Sequence, residues 1–87
     1  MYTKAQCLYS LITEILDTHG GVMTPSQIKE ELPYEISNPY LYRIIKDMYF
    51  KSIIHGLGDR GYMGNQNYLE YHVDEEEIIK TLGEKTK

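Results

Sequence analysis

Apolar residues near the start of the chain recur at helical spacing. Leu8, Leu11, Ile12, Ile15 and Leu16 follow i, i+3, i+4 steps and predict an amphipathic helix from about Thr3 to Thr18. Gly20-Gly21 closes that helix, since glycine accepts the left-handed backbone of a helix end. Val22-Met23 supplies one short strand. Thr24 has the character of an N-cap, with Pro25 at the first helical position and Gln27 completing a capping box. The second helix is therefore short, from Pro25 to about Leu32, with Ile28 and Leu32 turned inward and Pro33 as its stop. Asn38 and Pro39 repeat the cap-then-proline signal for a third helix. There, Leu41, Ile44, Ile45 and Met48 lie within roughly 100° of one another on the helical wheel and define the core side. Arg43, Lys46 and Phe50 lie opposite, with Tyr40 and Asp47 on one edge and Tyr42 and Tyr49 on the other.

After Lys51 the period changes from helical to alternating. Ile53 to Leu57 and Asn67 to Val73 predict two antiparallel strands, with Leu69, Tyr71 and Val73 on one face and Tyr68, Glu70 and His72 on the other. The intervening run, Gly58-Asp59-Arg60-Gly61-Tyr62-Met63-Gly64-Asn65, predicts a mobile tip. Asp74 then caps a final helix whose positive first turn receives Glu75, Glu76 and Glu77, and whose apolar side is Ile78, Ile79 and Leu82. Gly83 to Lys87 reads as a frayed tail. With no repeat or linker to divide it, the chain is expected to form one α+β domain over 1–87. The helix-turn-helix falls at 24–51, a wing at 53–73 and a C-terminal helix at 74–83.

Composition narrows the function classes. A chain of 87 residues supports a modest core but not a deep, two-sided enzyme cleft. Ser10, Thr13 and Glu14 interrupt the first apolar run, unlike a signal peptide, and no stretch approaches the ~20 apolar residues of a membrane span. The single cysteine, Cys7, excludes an internal disulfide framework and suits a reducing cytoplasm, the expected location. The net charge of −4 has the wrong sign for a generally basic nucleic-acid binder. Its distribution is uneven, however. Between Asn38 and Gln66, four basic residues (Arg43, Lys46, Lys51, Arg60) face two acidic ones (Asp47, Asp59), while the remainder holds five basic and eleven acidic. The segment carrying the third helix and the wing is thus locally positive.

The order of helix, short strand, helix, helix and hairpin resembles the winged helix-turn-helix superfamily over about residues 5 to 82. The run Met48-Tyr49-Phe50-Lys51-Ser52-Ile53-Ile54 is similar to the leucine-x-x-x-glycine-leucine-isoleucine passage joining recognition helix to wing in MarR-like and PadR-like regulators. Size and element order are also similar to the small prophage-type proteins of the YjcQ family. Ser52 stands where those regulators carry glycine, and the turn from Pro33 to Ser37 is longer than in the simplest helix-turn-helix domains. The resemblance implies a winged-helix fold and a role as a small DNA-binding transcriptional regulator.

Candidate residues follow from both lines of reasoning. Arg43 can donate two parallel hydrogen bonds to guanine, and Lys46 can hold a phosphate. Arg60 at the loop tip can enter a minor groove or meet a phosphate, with Tyr62 and Asn65 beside it. Asn38 offers helix-start amides to a phosphate, and Tyr40 and Tyr42 can reach sugar-phosphate from the helix edges. The expected partners are double-stranded DNA and a second copy of the chain, since a dimer sets two recognition helices about one DNA turn apart. A protein partner is the alternative, motivated by the acidic net charge, the tyrosine-rich surface and Phe50 on the solvent face. Phe50, Ile78, Ile79 and Leu82 would supply that interface or the dimer contact. No enzyme, cofactor or metal is expected. His19, His55 and His72 lack metal-ligand spacing, the serines have no local base, and Gly56-Leu57-Gly58 with Gly61 matches G-x-G-x-x-G in a hairpin rather than between a strand and a helix.

Overall fold

The computed structural model describes residues 1–65 and 68–87. Helix α1 (Lys4–His19) starts at Thr3, whose hydroxyl accepts from the Gln6 amide while the Gln6 side chain returns the bond to the Thr3 amide. It ends at Gly20, at φ 74°. Helix α2 (Pro25–Glu31) repeats the reciprocal cap with Thr24 and Gln27. Each box satisfies helix-start donors that would otherwise be unpaired. Helix α3 (Asn38–Phe50) begins one residue earlier than its proline signal implies. Ser37 is the N-cap, accepting from the Tyr40 amide, and Asn38 occupies the first helical position.

The three helices enclose the main core, in which Leu8, Ile12 and Leu16 of α1 meet Ile28 and Leu32 and the Leu41, Ile44, Ile45, Met48 side of α3. The end of α3 is set by two backbone bonds. Ser52 N–H donates to the Tyr49 carbonyl, and Ile53 N–H donates to Met48, with Ser52 at φ 60°. This is the Schellman arrangement, with buried Ile53 and buried Met48 as its apolar pair.

Strand β1 (Ile54–Gly56) pairs antiparallel with β2 (Tyr62–Gly64), aligning His55 with Met63. A 3-10 turn over Gly58–Arg60 connects them. The second strand is therefore not the expected Asn67 to Val73 run but the segment assigned to a mobile loop. Tyr68–Tyr71 forms a 3-10 helix, and Asn67 lies outside the described residues. A three-residue turn cannot maintain a two-residue alternation. Val73 is buried and Tyr71 packs against the core, but Leu69 is 71% exposed. The expected Val22-Met23 strand reduces to one bridge in which Met23 and Tyr62 exchange both backbone hydrogen bonds at 2.8 Å. Gly61 makes this approach possible, because a Cβ there would sit 2.3 Å from the Met23 carbonyl oxygen. At Gly56 a Cβ would meet the Tyr49 ring at 2.7 Å. Two glycines of the apparent nucleotide motif thus serve hairpin packing.

Helix α4 (Glu75–Leu82) follows Asp74, with all three glutamates in its first turn. Ile78 joins Cys7, Tyr34 and Val73 in a second buried cluster, and Leu11 and Leu82 pack against both clusters. Residues 83–87 do not fray as expected. The amides of Thr86 and Lys87 donate to the Pro33 carbonyl, and the Tyr34 hydroxyl donates to the Gly83 carbonyl at 2.9 Å. The tail thereby covers the turn between α2 and α3. Among the described residues, no helix is long and apolar enough to cross a membrane.

Candidate nucleic-acid interface

The helical period of α3 separates its two faces cleanly. Leu41, Ile44, Ile45 and Met48 are buried, while Tyr42, Arg43, Lys46, Tyr49 and Phe50 are exposed. Arg43 and Lys46 form no ion pair among the described residues, and Lys46 Nζ lies 5.8 Å from the centre of the Phe50 ring. A cation over an aromatic face is favourable by about 0.5–1 kcal/mol at an exposed site, so Phe50 has a partner on its own helix. Lys51, counted with the basic residues of this segment, is already engaged. Its ammonium is 3.2 Å from the Asp47 carboxylate and 3.3 Å from the Tyr9 hydroxyl, which itself donates to Asp47. The i, i+4 spacing of Asp47 and Lys51 is the sequence signal for that pair.

A groove of about 510 Å³ runs between α1 and α3, with Arg43, Lys46 and Phe50 on the α3 side and Ala5 and Tyr9 on the other. Lys4, which sequence reasoning did not single out, sits 5.0 Å above the Tyr40 ring beside it. Tyr40 is half-buried and packs against the core, whereas Tyr42 is 53% exposed. An exposed band of Tyr42, Tyr49 and Phe50 thus accompanies the two free cations of α3. Tyr49 carries this band onto the hairpin, with its ring edge-on to Tyr62 at 6.3 Å and against Gly56.

The remaining candidates are more committed. Arg60 is exposed in the 3-10 turn and has no ion pair among the described residues. Tyr62 is half-buried, with its backbone used by Met23. Asn65 donates its side-chain amide to the Ser52 carbonyl at 3.0 Å, clamping the end of α3 to the hairpin. The Asn38 side-chain oxygen Oδ1 accepts from Lys29 Nζ at 2.5 Å, and the capping role assigned to Asn38 belongs to Ser37. Ile78 is buried, which removes it from any outer contact surface; Ile79 and Leu82 are half-buried, with Leu82 packed partly against the core of the same molecule. No group of three histidine, cysteine, aspartate or glutamate side chains able to hold a metal is present among the described residues. Comparison with protein-family models, with curated proteins and with solved structures gives no match.

Proposed function

We propose that this chain is a small double-stranded DNA-binding protein of winged-helix type, acting as a transcriptional regulator, with α3 and the hairpin as its reading elements. The observation that carries this reading is the outward pair Arg43 and Lys46, exposed and free of ion pairs on the face opposite the core. An acidic body around a locally positive face would orient the duplex toward α3. The backbone at Ser52 adds support, since its positive φ is the conformation glycine supplies at that position of the resembled regulators. Phosphate contacts from Lys46 and Arg60 would fix register, and Arg43 is the side chain suited to guanine. The longest dimension of the molecule is 34 Å, about one turn of B-DNA, so a homodimer would be needed to span two half-sites.

The second reading is a winged-helix accessory protein of phage or plasmid type that binds another protein. Phe50, at 70% exposure beside Tyr49 and Tyr42, favours it.

One titration separates the two. Binding to duplex DNA, followed by anisotropy across salt concentrations, is expected to give a log–log slope of about −2 per chain if Lys46 and Arg60 each meet a phosphate. Lys46→Ala is expected to reduce that slope by about one, and Arg43→Ala to weaken binding by about 1–3 kcal/mol at guanine-containing sites. Affinity indifferent to both substitutions rejects α3 as the reading helix. Absence of DNA binding at low salt, with a co-purifying protein lost on Phe50→Ala, establishes the second reading instead.

A further inference from the structure

We propose that the flank of α1 turned away from α3 carries a binding site for an amphipathic organic cation. A cavity of about 680 Å³ opens there, within the ~300–1,000 Å³ typical of small-molecule sites. Leu11, Ile15, Met23, Val73 and Ile78 form an apolar lining, and the aromatic ring of Tyr34 adds a surface that attracts positive charge. Met23 contributes a side chain that adapts to irregular ligands.

The charge of the cavity selects the ligand class. Three lining carboxylates, Glu14, Glu31 and Glu75, stand against one ammonium, that of Lys85, and two imidazoles, those of His19 and His72. Lys85 is held by Glu75 at 3.0 Å, while Glu14 and Glu31 form no ion pair among the described residues. His72 is taken by Asp74 at 3.4 Å. An anion would meet an excess of carboxylates over ammonium groups, and an uncharged apolar ligand would leave that excess unused. A body that fills the apolar lining and carries a fixed positive charge satisfies both. None of the lining residues belongs to the Arg43, Lys46 and Phe50 face, so this site stands or falls independently of DNA binding.

Rhodamine 6G, an aromatic cation, serves as the probe, with the anionic fluorescein as its counterpart of similar framework. Fluorescence anisotropy with the full chain, without DNA, is expected to show saturable one-site binding of rhodamine 6G and binding of fluorescein weaker by at least roughly tenfold. Glu14→Gln with Glu31→Gln is expected to weaken rhodamine 6G by about tenfold. Thr18→Arg places a cation at an exposed rim position and is expected to abolish binding while the circular dichroism spectrum is unchanged. Equal affinity for the two dyes, binding unaffected by either variant, or no saturable rhodamine 6G binding would each overturn the proposal.

Discussion

Ser52 shows how much one backbone angle organises. At φ 60° it occupies a region that costs a non-glycine residue about 1–2 kcal/mol, yet it lets Ile53 turn back to Met48 and aims β1 across the end of α3. The Asn65 side chain holds the same residue by its carbonyl. Ser52→Gly relieves the strain at some cost in unfolded-state entropy, so a net stabilisation of about 0.5–1 kcal/mol is expected, read as a higher urea midpoint with an unchanged slope. An equal or lower midpoint would show that the serine is not strained there. Residue-scale assignments were legible in the sequence where the partner is near in the chain. Arg43 and Lys46 fall outward because the helical period fixes them, whereas the ties of Asn65 to Ser52 and of Tyr62 to Met23 depend on contacts that no local pattern encodes.

At the scale of elements, local chemistry again separates what the sequence revealed from what it hid. Helix α2 begins at the reciprocal cap expected from Thr24 and Gln27, α1 begins at a second such box, Thr3 and Gln6, that was not anticipated, and α3 begins at a single cap from Ser37. The second strand was not legible, because β2 lies in a glycine-rich run with a weak β signal, while Leu69, Tyr71 and Val73 imitate strand alternation. What fixes β2 is tertiary, namely its register with β1, its bridge to Met23 and the Tyr49 ring against Gly56 and Tyr62. Tyr49→Ala removes the ring that seats the hairpin on α3. Amide hydrogen exchange in β1 and β2 is expected to quicken by roughly tenfold while the centre of α1 is unaffected. Unchanged exchange in the hairpin would show that the backbone bridge to Met23 alone is sufficient.

Across the whole molecule, the α+β class was readable, but the docking of residues 83–87 was not, since it runs largely through backbone groups at Pro33 and Gly83. That docking has a pH signature. Burial pushes the Tyr34 hydroxyl above the ordinary tyrosine range, outweighing the opposing effect of Lys85. Lys85 is itself raised by its hydrogen bond to Glu75. Both groups therefore bind their protons more tightly in the folded chain. Their contribution is fully present below the unfolded-state values, near 10, and is lost as pH rises through the higher folded-state values. Urea midpoints are expected to hold up to about pH 10 and to fall as pH rises above it. Tyr34→Phe is expected to lose about 1 kcal/mol near neutrality with its hydrogen bond to Gly83, and to flatten part of the alkaline decline. A decline of the same steepness in the variant would remove Tyr34 from the account.

The hydrogen bond from the Val73 amide to the buried Ser10 hydroxyl joins residues 63 positions apart at 2.8 Å. In terms of time, a polar group on a locally formed helix is expected to be satisfied late, once the hairpin and the 3-10 segment have brought Val73 back across the chain. Such a contact is expected to form after the folding barrier rather than before it. Ser10→Ala is accordingly expected to speed unfolding and leave the folding rate nearly unchanged in stopped-flow measurements, whereas slowed folding would mean that the chain closes on itself early.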